Sequence, residues 1–344
     1  MKKLLLLGLM VLCSQFSFAQ SDADKMTKEG ISFIENMPKD LQKRQNDAIR
    51  KAMSEEDYSS LFEVRNSRNV KPEMPEGVIA KDLTKKYRLY IPETTDGSPL
   101  PLLIYLHGGG WCFGSINSCA AFCSNLTREA KIAVLAVEYP LSPEHPYPAP
   151  LNECMKALHY AKDNAEELGI DPDKISMGGD SAGGNLALAT AVTLSFLRDQ
   201  LDSNNVPQDL PELFSLILFY PVTKVWNDGS DSWEKYKIGY GLDGEIMETF
   251  NEAYLNGNDP QMAFISPFNA SIEHLSSLPP TLIINADHDI LKDQGEDMVK
   301  RLKKAGVKVE REVFPGTTHL FITVPGQPTA FNRAIRLTKE FITK

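Results

Sequence analysis

The chain has 344 residues, 42% of them hydrophobic and 24% charged, with a formal net charge of -10. It is long enough to bury a large core. An acidic surface of this kind repels phosphate backbones and anionic lipid, which excludes nucleic acid and other polyanions as preferred partners.

Residues 1–19 read as a secretory signal peptide: Lys2 and Lys3, an apolar run from Leu4 to Leu12, then the small-residue site Ser17-Phe18-Ala19 before Gln20. The apolar run falls short of the roughly 20 residues a membrane span needs. A lipoprotein signal ending at Cys13 would want a small residue where Leu12 stands. Cleavage would leave 34 basic against 46 acidic residues, a charge of -12. No second apolar stretch of spanning length follows, so the expectation is a soluble protein, secreted or periplasmic.

From about Ser21 to Arg68 the chain is charged and helix-prone, with Ile31, Ile34, Met37 and Leu41 in three-and-four spacing. Residues 20–76 are therefore expected to form amphipathic cap helices. From Gly77 the pattern changes to short apolar strands: Gly77 to Leu83, Lys86 to Ile91, Leu102 to Leu106, Ile132 to Val137, Ile175 to Gly178, Ser215 to Tyr220, Thr281 to Asn285 and Val307 to Val313. Helical patterns lie between them at Cys119 to Ala130, Ala149 to Leu168, Ala182 to Leu197, Asp293 to Ala305 and Thr329 to Ile342. The alternation predicts an α/β fold, a mostly parallel eight-stranded sheet flanked by helices, over residues 77–344.

The third strand runs into His107-Gly108-Gly109-Gly110-Trp111. Glycines there let backbone N–H groups come close to one oxygen, as stabilising an oxyanion requires. A phosphate-binding loop would need a G-K-[ST] ending, which is absent. His107 is expected to brace this loop rather than act as a base. Cys112 and Cys119 could form a disulfide behind it, against the alternative that all four cysteines after the signal peptide, Cys123 and Cys154 included, are small buried thiols. Their spacing fits no metal site.

The next strand leads through Gly178-Gly179-Asp180-Ser181-Ala182-Gly183-Gly184 into an apolar helix. A serine between glycines at a strand-to-helix junction is the sequence of a nucleophile elbow, and the helix points its positive end at the site. Val222 to Met262 then breaks the rhythm: it is long, polar and aromatic, and reads as a cap insertion, 222–262, over the sheet's carboxyl edge.

A serine nucleophile needs a base, and six histidines are available. His319 follows the last strand in a loop and satisfies the chain order serine, acid, histidine. The acid should follow the strand ending at Asn285, where Asp287, Asp289 and Asp293 compete; Asp293 also suits capping the next helix.

These segments resemble the hormone-sensitive-lipase-like family of α/β-hydrolase esterases from about Gly77 onward. The match extends through Glu138-Tyr139-Pro140-Leu141-Ser142-Pro143-Glu144-His145-Pro146, Leu278-Pro279-Pro280 and Asp289-Ile290-Leu291-Lys292-Asp293-Gln294-Gly295. The resemblance implies Asp289 as the acid, and the N–H groups of Gly109, Gly110 and Ala182 as oxyanion donors. It makes His107, Gly108, Gly179, Asp180 and Gly183 motif support, and implies free thiols at Cys123 and Cys154. Two positions depart from the pattern: Pro140, where the family has arginine, and Leu320, where it has glycine.

The expectation is then an exported serine carboxylesterase acting on short-acyl esters, with a small-molecule ester as partner and no cofactor or metal. An amidase with the same triad and a non-catalytic binding protein are the alternatives. Oligomeric state is not legible in the sequence, and a homodimer stays open.

Overall fold

The computed structural model describes residues 25–200 and 210–344; residues 1–19, read from the sequence as a signal peptide, lie outside them. One eight-stranded sheet organises the chain: β1 (Val78–Asp82), β2 (Tyr87–Pro92), β3 (Leu100–Leu106), β4 (Ala133–Val137), β5 (Ile170–Asp180), β6 (Leu216–Phe219), β7 (Thr281–His288) and β8 (Val309–Thr318). Its order is β1-β2-β4-β3-β5-β6-β7-β8. Only β2 runs against its neighbours; every pairing from β4 to β8 is parallel.

Successive strand residues point to opposite faces, and here both faces are covered, which is why the strands read as continuous apolar runs. Leu102, Ile104, Leu106, Met177, Leu218 and Ile283 enter one core. It is completed by α5 (Ala149–Asp163), α7 (Ala182–Gln200) and α11 (Lys292–Lys304). Leu103, Tyr105, Val134, Ile217, Phe219 and Ile284 enter the other, under α4 (Ala120–Ala130) and α12 (Pro328–Ile342).

The elements differ from the sequence expectation mainly at their ends. β5 begins at Ile170, because Leu100 pairs with Ile170 ahead of a register irregularity. β7 and β8 run on to His288 and Thr318, carried by mutual pairing. The helical pattern from Ala149 breaks at Asn164 into α5 and a short α6 (Ala165–Leu168).

The N-terminal segment forms α1 (Lys28–Asn36), α2 (Leu41–Glu55) and α3 (Ser59–Arg68). The spacing of Ile31, Ile34, Met37 and Leu41 does not mark one buried stripe. Pro38 has no N–H to continue α1, and the residues buried are Gly30 and Phe33 in α1 and Asn46, Ala48, Ile49 and Ala52 in α2, while Ile31, Ile34, Met37 and Leu41 are half-buried. The 222–262 segment folds as α8 (Asp231–Tyr236) and α9 (Gly244–Leu255). The two are knit together: Asn46 Nδ2 donates to Glu245 Oε1 (2.8 Å), and the Asp243 N–H donates to Gln42 Oε1 (2.9 Å). A short α10 (Ile272–Ser276) precedes β7.

Among the described residues no helix is long and apolar enough to cross a membrane. The four cysteines among the described residues are free and buried, so the disulfide considered between Cys112 and Cys119 does not form. A chain with two continuous cores has no need of such a staple.

Candidate active site

Ser181 is the residue between β5 and α7, held with φ +54°, a conformation a non-glycine residue adopts only when its surroundings enforce it. Its N–H donates to Phe219 O (2.9 Å) and its carbonyl accepts from Asn185 (3.0 Å), which fixes the turn from both sides. The turn sits hard against the end of β3. A Cβ on Gly183 would lie 2.0 Å from Leu106 O and 2.6 Å from His107 O, so only glycine allows the helix to start there.

His319 and Asp289 come to this serine from the ends of β8 and β7. His319 Nε2 lies 3.1 Å from Ser181 Oγ, and His319 Nδ1 lies 2.6 Å from Asp289 Oδ2. With Nδ1–H donating to the carboxylate, the Nε2 lone pair faces the serine hydroxyl, the arrangement in which the serine can give up its proton. The other carboxylate oxygen, Asp289 Oδ1, accepts from the Leu291 N–H (3.0 Å). Ser181, His319 and Asp289 are 5%, 1% and 2% exposed.

Of the three competing acids, Asp289 alone reaches the imidazole. Asp287 Oδ2 instead accepts from the Gly316 N–H (3.3 Å) near the end of β8. Asp293 does not cap its own helix: its Oδ2 accepts from the Ser232 N–H (2.8 Å) of α8.

The glycine loop is pinned from below by Asp180, whose Oδ1 accepts from Gly108 N–H (3.0 Å) and Tyr105 OH (2.9 Å). Burial raises the Asp180 carboxyl from its ordinary range to about 6, against the lowering effect of those two hydrogen bonds and of His319. His107 braces the loop: its ring stacks on Tyr139 at 4.3 Å, and Tyr139 OH donates to His107 O (2.6 Å). Burial lowers its pKa, so it is neutral at neutral pH. Among the described residues the N–H groups of Gly109, Gly110 and Ala182 donate to no protein acceptor, while Gly179 lies against Leu106 O at the same junction.

Four supporting residues escaped sequence reasoning. Gln327 clamps the strand end at the histidine: its Oε1 accepts from Thr318 N–H (3.0 Å) and its Nε2 donates to Thr318 Oγ1 (3.0 Å). Tyr220 packs on the His319 ring at 4.3 Å, and its hydroxyl accepts from the Ile322 N–H (3.1 Å). From the N-terminal segment, Thr27 N–H donates to Gly316 O (2.9 Å), seating α1 against the histidine loop. Arg65 of α3 donates to Cys112 O (2.7 Å) and Ser142 O (2.8 Å) and pairs with both oxygens of Glu144. None of these carries a local signal, because each acts on a segment 9 to 289 residues away.

Two open clefts, of about 410 and 490 Å³, lie elsewhere on the described surface, and neither is lined by Ser181, Asp289 or His319. Hydrogen-bond geometry rather than cavity size marks the chemical centre. Among the described residues no group of three or more His, Cys, Asp or Glu is placed to hold a metal ion.

A family model described as the alpha/beta hydrolase fold matches residues 103–323. The chain belongs to the α/β-hydrolase family, in its hormone-sensitive-lipase-like branch. This α/β-hydrolase is 35% identical over 231 residues to the carboxylic ester hydrolase LipN of Mycobacterium tuberculosis, covering 66% of this chain and 59% of that one. It is 34% identical over 244 residues to an ethyl acetate hydrolase of Pseudomonas putida, covering 70% and 72%. A solved structure of a fungal esterase from Rhizomucor miehei superposes with a TM-score of 0.73 at 28% identity, covering 93% and 96%. The chain spans less than two thirds of the length of the first curated relatives it matches, LipN among them.

The two departures from the branch pattern have structural counterparts. Leu320 has φ +71°, the left-handed conformation in which glycine is free of strain. Pro140 carries no charge to support the following loop, and Arg65 supplies a guanidinium there from α3.

Proposed function

We propose that the chain is an exported serine carboxylic ester hydrolase that cleaves short-acyl, acetyl-type esters through an acyl-enzyme on Ser181. The hydrogen-bonded chain Ser181–His319–Asp289, with its 3.1 and 2.6 Å links, carries the reading. His319 takes the serine proton as Oγ attacks the ester carbonyl, and the resulting imidazolium is held by Asp289. The tetrahedral oxyanion is received by the free N–H groups of Gly109, Gly110 and Ala182, with the positive end of α7 behind them. The same histidine then protonates the departing alcohol. Water, deprotonated by His319, attacks the acyl-enzyme and returns the serine.

The ethyl acetate hydrolase relative supports the short-acyl assignment. Export is proposed on the basic, apolar and small-residue order of residues 1–19, and would place Gln20 at the mature N-terminus. The test is hydrolysis of p-nitrophenyl acetate, butyrate and octanoate by the wild type and by Ser181→Ala. Activity on acetate and butyrate that disappears in the variant is expected. A folded wild type inactive on all three esters, with activity on the matching p-nitroanilides, would move the reaction to amides.

A further inference from the structure

The cap carries a cleft of about 410 Å³, within the size range of small-molecule sites, that the hydrolytic centre does not use. Its wall combines an aromatic ring with fixed polar groups: Trp226, Asn227, Glu248, Asn251, Glu252 and Leu255. Of the three tryptophans, Trp111 and Trp233 are buried, whereas Trp226 is half-exposed and lines this cleft. Glu248 is oriented by Asn227, whose Nδ2 donates to its Oε1 (3.0 Å). Asn251 is only 5% exposed, yet its side-chain Oδ1 has no hydrogen-bond partner among the described residues. A buried amide oxygen without a partner calls for an explanation, since leaving it unpaired costs about 1–3 kcal/mol.

We propose that this cleft binds a neutral saccharide, as a subsite separate from the ester-cleaving centre. A pyranose ring has an apolar C–H face that matches a flat indole, and a rim of hydroxyls that both donate and accept. Carboxylates and primary amides are the groups that take such donors, and two carboxylates with no lysine or arginine in the lining disfavour an anionic ligand. Arg50 stands 3.8 Å from Glu252, an ion pair at the margin, and leaves Glu248 as the unpaired charge. The polar lining residues Glu248, Asn251 and Glu252 share one side of α9. Phe250 of that helix abuts Gly110, and its Tyr254 stacks on Trp111 at 4.3 Å. A saccharide held in the cleft thus lies on the helix that backs the glycine loop.

The test is a tryptophan-fluorescence titration of the wild-type protein with xylotriose and with cellotriose, checked by calorimetry; neither readout depends on hydrolysis. Saturable binding of at least one sugar with a Kd of about 1 mM is expected, weakened at least 10-fold by Trp226→Ala and by Asn251→Leu. Thermal melts establish that each variant is folded, and Glu248→Gln replaces Asn251→Leu if the latter is not. Absence of saturation by either sugar up to about 50 mM, or binding that Trp226→Ala leaves intact, overturns the proposal.

Discussion

Replacing Asp180 by Asn isolates the effect of one buried charge behind the glycine loop. The side chain keeps its shape, and its Oδ1 can still accept from Gly108 N–H and Tyr105 OH. Burial holds the carboxyl at about 6 against an ordinary 3.8. An acid whose folded pKa is raised binds its proton more tightly in the folded state, so its contribution to stability is full below pH 3.8 and is lost as pH rises through about 6. A gap of about two pKa units, at about 1.4 kcal/mol each, amounts to about 3 kcal/mol. Asn has no proton to lose, so Asp180→Asn should gain on the wild type by about that amount between roughly pH 4 and pH 7.5. Urea unfolding of both proteins across this range measures the difference. A difference constant within about 0.5 kcal/mol would show that the carboxylate bears no such burial cost, and the reasoning would fail.

Three further outcomes are expected. Gly110→Ala would place a methyl 2.2 Å from the Phe250 ring at a φ of +60°, and should lower kcat/KM for p-nitrophenyl acetate about 100-fold or more while the protein stays folded. Arg65→Met removes the bonds to Cys112 O and Ser142 O and strands Glu144, so chemical denaturation should show a loss of about 2 kcal/mol; Glu144→Gln in the same chain should recover part of it. Leu320→Gly relieves a left-handed leucine and should leave stability unchanged or raise it by up to about 1 kcal/mol, where a clear loss in thermal melts would mean that the leucine side chain outweighs its backbone strain.

Where the chain's own periodicity or a short motif set the structure, the sequence was readable. Continuous apolar runs marked central strands such as β3, β4 and β6, because a sheet covered on both faces demands them, while the edge strands β1 and β8 carry charged residues. Glycines around Ser181 marked a turn that nothing bulkier can make. Periodicity could not choose between Asp287 and Asp289: both stand at the end of β7, and only the fold shows that Asp289 meets His319 while Asp287 turns to Gly316. Gln327, Tyr220 and Arg65 were invisible for the same reason, since what each does depends on a partner brought near by the fold. In the N-terminal segment the apolar spacing continued across Pro38, so it could not show where one helix stops and the next begins.

The most direct test of the central claim is intact-mass and peptide-mapping analysis of the protein after exposure to diethyl p-nitrophenyl phosphate, whose phosphorus a nucleophilic serine attacks, expelling p-nitrophenolate and leaving a stable diethylphosphoryl-serine. One diethylphosphoryl group per chain is expected, on the peptide containing Ser181, with loss of esterase activity in step with labelling and no adduct in Ser181→Ala. Full loss of activity with the label on another residue, or an unlabelled Ser181 in an active enzyme, would contradict Ser181 as the nucleophile.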